Sequence, residues 1–347
     1  MAVNCQTNIS ITDDNHRSVE FTVSFSEMEK LFEKNITEFR KQVSMKGFRP
    51  GQVPKQLFIS RFGDEVYRET VDKVVNNDLI SEFEKIVETW KTDEKLEVAA
   101  PAEHGELKAE RRQDLVYKLT IAFNRPLTVQ GYKDLGIKVS AAVVAEEEIN
   151  DVIQGLRKKY VKDNELEPTA QNEELYHLVR AENETDFRSK IMDGLLREQQ
   201  QKNRQIALKE AFDKLIEKNP FPVLEEQIEY TAQRSLQRHH GQHSHEEEEE
   251  KITVSKEQLD AMRPDIIRAI QEDRILRSII EQESLKPTQA QVDARVQEIA
   301  DSAMMDFALV KDAMRKNGQI NTLRENLKME LAQNLLIGES LPEKDEL

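Results

Sequence analysis

Gly47-Phe48-Arg49-Pro50-Gly51-Gln52-Val53-Pro54 packs two glycines and two prolines into eight residues, and the residue pattern changes on both sides of it. Such a run fixes a turn, because proline presets φ and glycine supplies conformations that other residues resist. Just upstream, Met28, Leu31, Phe32, Ile36, Phe39 and Val43 recur on one face at helical spacing. Ser26 and Glu29 form a capping-box pattern for that helix. Further back, residues 4–11 and 17–25 read as strands around Asp13-Asp14-Asn15, the second alternating through Val19, Phe21, Val23 and Phe25. Downstream, Pro54 suits the first position of a short helix through Phe62, with Gly63 expected to break it. A longer helix follows, carrying Val66, Val71, Val74, Val75, Leu79, Phe83, Ile86 and Trp90. Strands return at 96–99 and at 115–123, where Leu115, Tyr117, Leu119 and Ile121 alternate. Strands, helices, then strands predict an α+β domain over residues 1–125, an antiparallel sheet with helices on one face.

Beyond it, residues 126–145 read as an extended linker with two glycines, and 146–347 as all-α with helical arms. A helix is expected over 146–160. Phe187, Ile191, Leu195, Ile206, Leu208, Phe212, Leu215 and Ile216 mark a long amphipathic helix that stops at Pro220 and Pro222. Leu224 to Leu236 forms the next. Ser255 with Gln258 caps another, which has Pro264 in its first turn or at a kink, and Thr288 with Gln291 repeats the capping pattern.

Charge singles out the turn again. The chain has a net charge of -16, yet Arg40, Lys41, Lys46, Arg49, Lys55 and Arg61 fall between Phe39 and Gly63 with no acidic residue among them. An exposed Phe and Arg in a rigid turn, ringed by cations, suit docking to a large anionic particle.

These residues also carry a resemblance. Gly47-Phe48-Arg49-Pro50-Gly51 followed by Val53-Pro54, between two helices, resembles the ribosome-docking signature of bacterial trigger factor. Gln52 stands where the family often has lysine. The layout is similar as well: a docking domain, an extended linker and a helical body forming a cradle. The family usually carries an FKBP-type prolyl isomerase domain after the helix matching 146–160. Here Val161 to Glu184 is a short polar stretch with one proline and no glycine. It cannot supply several strands and an aromatic-lined pocket. The resemblance therefore implies a form without the isomerase domain. It implies ribosome-binding residues Lys46, Gly47, Phe48, Arg49, Pro50, Gly51, Pro54 and Lys55.

No residue set argues for chemistry. Walker and G-x-G-x-x-G patterns are absent, and His16, His104 and His177 stand apart from any nucleophile context. Cys5 is the only cysteine, which excludes an intramolecular disulfide and a cysteine metal site. His239, His240, His243 and His245 with Glu246 to Glu250 could attract a metal, but a low-complexity run lacks the rigid support of a defined site. Catalytic residues, cofactor and functional metal are each expected to be none. No stretch approaches the length of a membrane span, and the first residues lack a signal peptide's basic and apolar regions. Lys344-Asp345-Glu346-Leu347 spells a retention address that acts only on secreted chains, so it reads as a charged tail. The expected location is cytoplasmic.

Met262, Met304, Met305, Met314 and Met329 on the late helices suit surfaces that adapt to varied partners. The resulting expectation is an ATP-independent chaperone that docks at the ribosomal exit tunnel and shields nascent or unfolded chains. Its partners would be exit-tunnel protein and ribosomal RNA, with no DNA and no membrane, and a homodimer left open. The alternatives are a ribosome-independent holding or assembly chaperone and, disfavoured by the short 161–184 stretch, a prolyl isomerase.

Overall fold

A computed structural model describes the chain apart from residues 1–2, 44, 47, 50–51, 164–171, 242–253 and 339–347. The chain divides into two compact units that do not follow sequence order: residues 1–126 with 222–269, and residues 127–221 with 270–347.

In the first unit, β1 (Cys5–Ile11) and β2 (His16–Val23) form a hairpin, and β2 pairs antiparallel with β5 (Leu115–Asn124). The far edge of β5 carries β3 (Glu97–Val98) and β4 (Glu103–Lys108), giving a five-stranded sheet in the order β1-β2-β5-β3, with β4 also on β5. Period-two alternation puts Val19, Phe21 and Val23 on one face beside Leu115, Tyr117, Leu119, Ile121 and Phe123, all buried. Three helices cover that face: α1 (Phe25–Gln42), α2 (Lys55–Lys73) and α3 (Ile80–Asp93). They bury Met28, Phe32 and Ile36, then Phe58, Val66 and Val71, then Phe83 and Trp90. Edge-to-face ring pairs, Phe32 with Tyr67 and Trp90 with Phe123, fill the middle of the layer. The α+β expectation holds.

Three local expectations are corrected. The α1 cap is Ser24, whose side chain accepts from the Glu27 N–H, so the Ser26–Glu29 pair lies inside the helix. Gly63 does not break the helix: α2 runs through it, and the irregularity is a π-helical turn at Val74–Leu79. A helical glycine costs only about 1 kcal/mol relative to alanine, too little to end a helix anchored by Phe58 before it and Val66 after it. Pro54 is the N-cap of α2 and not its first residue.

The same unit includes α6 (Glu225–Gly241) and the first part of α7 (Lys256–Glu283). α6 is tied to the sheet by His16 Nε2 to Glu226 at 3.1 Å and Asn124 Nδ2 to Gln227 at 3.3 Å. Arg263 of α7 grips Glu225 through two bonds of 2.7 and 2.5 Å. Ser255 and Gln258 cap α7 reciprocally, as read from the sequence, while Pro264 sits in the helix interior and not in the first turn.

The second unit is built on α4 (Glu146–Asp163), α5 (Glu184–Lys218), the end of α7, α8 (Gln289–Ala303), α9 (Phe307–Lys316) and α10 (Gln319–Leu336). Residues 127–145 contain no helix or strand. Their Val129, Tyr132 and Ile137 are buried against Ala207, Ala211, Phe212 and Leu215 of α5, Ile275 and Ile279 of α7, and Leu331 and Leu336 of α10. Ser278 secures the start of this run by donating to the Leu127 carbonyl and accepting from the Val129 N–H. Ile206, expected on the buried face of α5, is instead 67% exposed. A short 3-10 turn at Asn172–Leu178 places buried Leu175 against Ile149, Ile153, Phe187 and Ile191. A complete Thr288–Gln291 capping box opens α8.

Candidate functional site

The turn between α1 and α2 is assembled from both helix ends. Arg40 and Lys41 occupy the last turn of α1, where cations complement the helix dipole. Val43 leaves helical geometry and its N–H still bonds the Phe39 carbonyl. Met45 then turns inward and is buried, and the Phe48 N–H closes a tight turn on the Met45 carbonyl at 2.9 Å. A second turn follows, with the Gln52 N–H on the Arg49 carbonyl at 2.9 Å. Val53 is wholly buried. Its carbonyl accepts from both Nε and Nη2 of Arg40, at 3.0 and 2.7 Å. Two apolar anchors and one guanidinium clamp thus hold the loop by its ends.

Its exposed residues differ in what they are free to do. Phe48 is 38% exposed, and Lys46 and Arg49 are exposed with no ion pair among the described residues. Pro54 is exposed at the α2 start. Lys55 is exposed but pairs with Glu33 of α1 at 2.7 Å. Arg40, counted from the sequence among the attracting cations, is committed to Val53. Arg61 lies over the Phe62 ring, 5.9 Å from its centroid. Gly47, Pro50 and Gly51 lie outside the described residues. The structure adds Leu57, 43% exposed one turn into α2, which sequence reading passed over because Leu57 and Phe58 are adjacent and only one can face inward. The α2 first turn contains no acidic residue, so its positive end is not neutralised from within the helix. The arrangement offers an aromatic, an arginine and a lysine, between two helix ends, to an anionic, partly apolar surface.

A second exposed apolar area lies where α8 meets α9. Met304 adopts a left-handed conformation at φ 54° to end α8 and is 76% exposed, with Met305 at 54% and Leu309 at 64%. Beneath them Val296, Ala300 and Val310 form a small core. Met262, Met314 and Met329 are half-buried, and Met314 and Met329 pack at the margins of core clusters. The His243–Glu250 run falls outside the described residues, and among those described no His, Cys, Asp or Glu cluster is arranged to hold a metal. No described helix is long and apolar enough to cross a membrane.

Residues 5–156 match the model for bacterial trigger factor protein, and residues 185–338 match the model for the trigger factor C-terminus. The chain belongs to the trigger factor family. Trigger factor of Mycolicibacterium smegmatis is 29% identical over 142 residues, covering 41% of this chain and 29% of that protein. Trigger factor of Psychromonas ingrahamii is 24% identical over 169 residues, covering 49% and 37%. The matched region therefore spans about a third of these relatives' length. A solved structure of the trigger factor chaperone, described for promiscuous substrate recognition in folding and assembly activities, superposes with a TM-score of 0.53 at 15% identity. It covers 96% of this chain and 99% of that one, and shows the shared fold. Between the two matched stretches, residues 157–184 comprise the end of α4, undescribed residues, the 3-10 turn and a short irregular run to the first residue of α5. That leaves no room for the family's isomerase domain there.

Proposed function

We propose that this member of the family is an ATP-independent chaperone that docks on the ribosome through the α1–α2 turn and holds unfolded or nascent chains. One observation carries the docking reading: Phe48 and Arg49 stand exposed on a loop clamped by the Arg40–Val53 bonds, in a chain otherwise strongly acidic. Held ends reduce the conformational freedom lost on binding, so an aromatic contact made there keeps more of its binding energy. Arg49 and Lys46 supply charge attraction to phosphate or carboxylate, which salt weakens. Holding is supported by Met304, Met305 and Leu309, an adaptable apolar surface on helices that the chain leaves uncovered. A cytoplasmic setting follows from work at the exit tunnel.

Co-sedimentation with ribosomes at two salt concentrations tests the docking. The wild type should pellet and lose binding as salt rises. A Phe48/Arg49/Pro50 triple-alanine variant should stay in the supernatant with an unchanged melting temperature. Undiminished pelleting of the folded variant at physiological salt would instead favour a holding chaperone that works away from this turn.

A further inference from the structure

The outer edge of β1 is open and unusually unguarded. Among the described residues β1 ends the sheet and pairs with β2 alone. Its hydrogen-bond polarity follows from two bonds at the hairpin. The Thr12 N–H donates to the His16 carbonyl at 3.0 Å, so Thr12 and His16 form a bonded pair. Antiparallel pairs alternate between bonded and non-bonded. The register Asn8↔Glu20 and Ser10↔Ser18 therefore makes the even-numbered residues of β1 the ones bonded to β2. The other side of β2 agrees, because the Phe123 N–H donates to the Asn15 carbonyl at 2.7 Å, leaving the odd positions of β2 to β5. Cys5, Thr7, Ile9 and Ile11 consequently point their N–H and C=O groups away from the sheet.

Natural sheets guard such edges with charges, prolines, bulges or short strands. The opposite edge does so: β4 holds Glu103, Glu106 and Lys108 and has a register shift between His104 and Leu107. β1 runs seven residues with no charge and no proline, in a chain where 33% of residues are charged. Ile9 and Ile11 share the core face with Val19 through the register, yet are 47% and 65% exposed. An added strand would bond the four outward residues and cover both isoleucines.

We propose that this edge accepts an extended segment of unfolded polypeptide as a further strand. The proposal deepens, and rests on, the holding reading above. Backbone pairing is indifferent to sequence, which suits a partner of variable composition, and an uncharged edge repels neither basic nor acidic segments. A second copy is the poorer occupant, because each chain brings a net charge of -16 to the pair.

The test uses the full chain and a soluble ten-residue peptide of alternating Val and Thr flanked by lysines, alongside the same peptide N-methylated at alternate residues. Binding of the plain peptide should slow exchange of the Thr7, Ile9 and Ile11 amides at least tenfold, and the methylated peptide should have no such effect. Ile9→Pro removes one outward N–H without touching the β2 ladder and should weaken binding about tenfold. The methylated probe keeps the test on the unaltered protein should that variant fold poorly. Equal binding of both peptides would overturn the proposal, as would protection of those amides that rises with protein concentration when no peptide is present. Aggregation of a denatured test protein is followed in parallel. Suppression without strand pairing sinks the edge proposal alone, and strand pairing without suppression sinks the holding reading alone.

Discussion

Arg40 and Phe48 sit eight positions apart and divide the turn's work, one holding the loop and the other facing outward. Arg40 donates twice to the Val53 carbonyl, and Val53 is wholly buried. Arg40→Ala should lower stability by about 1–3 kcal/mol, the usual cost of leaving a buried acceptor unpaired. It should also weaken ribosome pelleting indirectly, visible as a reduced melting temperature. Phe48→Ala should weaken pelleting while leaving the melting temperature unchanged, since Phe48 contributes little to the core. His16 offers a second residue-scale prediction. Its Nδ1 faces Asp13 and its Nε2 faces Glu226, both acceptors, so satisfying both requires the doubly protonated ring. Burial opposes that charge, but the two hydrogen bonds outweigh it and raise the pKa above its ordinary 6.5. A raised folded pKa means that the contribution is fully present below the unfolded value and is lost as pH rises through the folded one. Stability measured by urea unfolding should therefore fall from about pH 6.5 upward, and His16→Gln should flatten that slope. An identical slope in both proteins would remove His16 as its cause.

Elements show where sequence patterns suffice and where they do not. β2 and β5 were legible because apolar residues recur at every second position, through Val19, Phe21 and Val23 and through Leu115, Tyr117, Leu119 and Ile121, and α1, α5 and α8 because of their apolar spacing, with Thr288 marking the α8 start. β4 was not, because Glu-His-Gly-Glu-Leu-Lys is exposed throughout, so no apolar alternation marks it, and it is held by backbone pairing with β5 and the His104–Tyr117 contact. Gly63 misled because propensity is local, while α2 is stabilised by burial on both sides of it. The turn's motif and its exposure could be read in advance. The diversion of Arg40 to Val53 and of Lys55 to Glu33 could not, since both depend on how α1 and α2 pack. Gly105 of β4 is a clean test of this element. A Cβ there would lie 2.9 Å from the Lys118 carbonyl oxygen, a backbone atom of β5 that cannot swing aside. Gly105→Ala should cost about 1–3 kcal/mol and should speed amide exchange along β4 before the rest of the sheet. Thr288→Ala, which deletes the α8 cap, should cost about 1 kcal/mol, read from the shift in urea midpoint.

At the scale of the whole molecule, the two compact units cut across sequence order, and this constrains how function can be dissected. A fragment beginning at residue 146 would strip Val129, Tyr132 and Ile137 from the core of the helical unit. It would also strand α6 without the sheet that His16 and Asn124 use to hold it. Point variants in the intact chain separate the activities better. The α1–α2 turn belongs to one unit and the α8–α9 apolar surface to the other. Met304→Ser, Met305→Ser and Leu309→Ser together replace side chains that are 76%, 54% and 64% exposed, so folding should be nearly unaffected. Covering apolar client surface is worth roughly 25 cal/mol per Å², and polar replacements forfeit that gain at each of the three positions. The triple variant should need several-fold more protein than the wild type to suppress aggregation of a denatured test protein, without any response to ATP. Its ribosome pelleting should match the wild type, while the Phe48/Arg49/Pro50 alanine variant should show the reverse pattern. If the serine variant suppresses aggregation as well as the wild type, these three residues are not the holding surface. If both variants lose both activities, docking and holding are not separable properties of the two units.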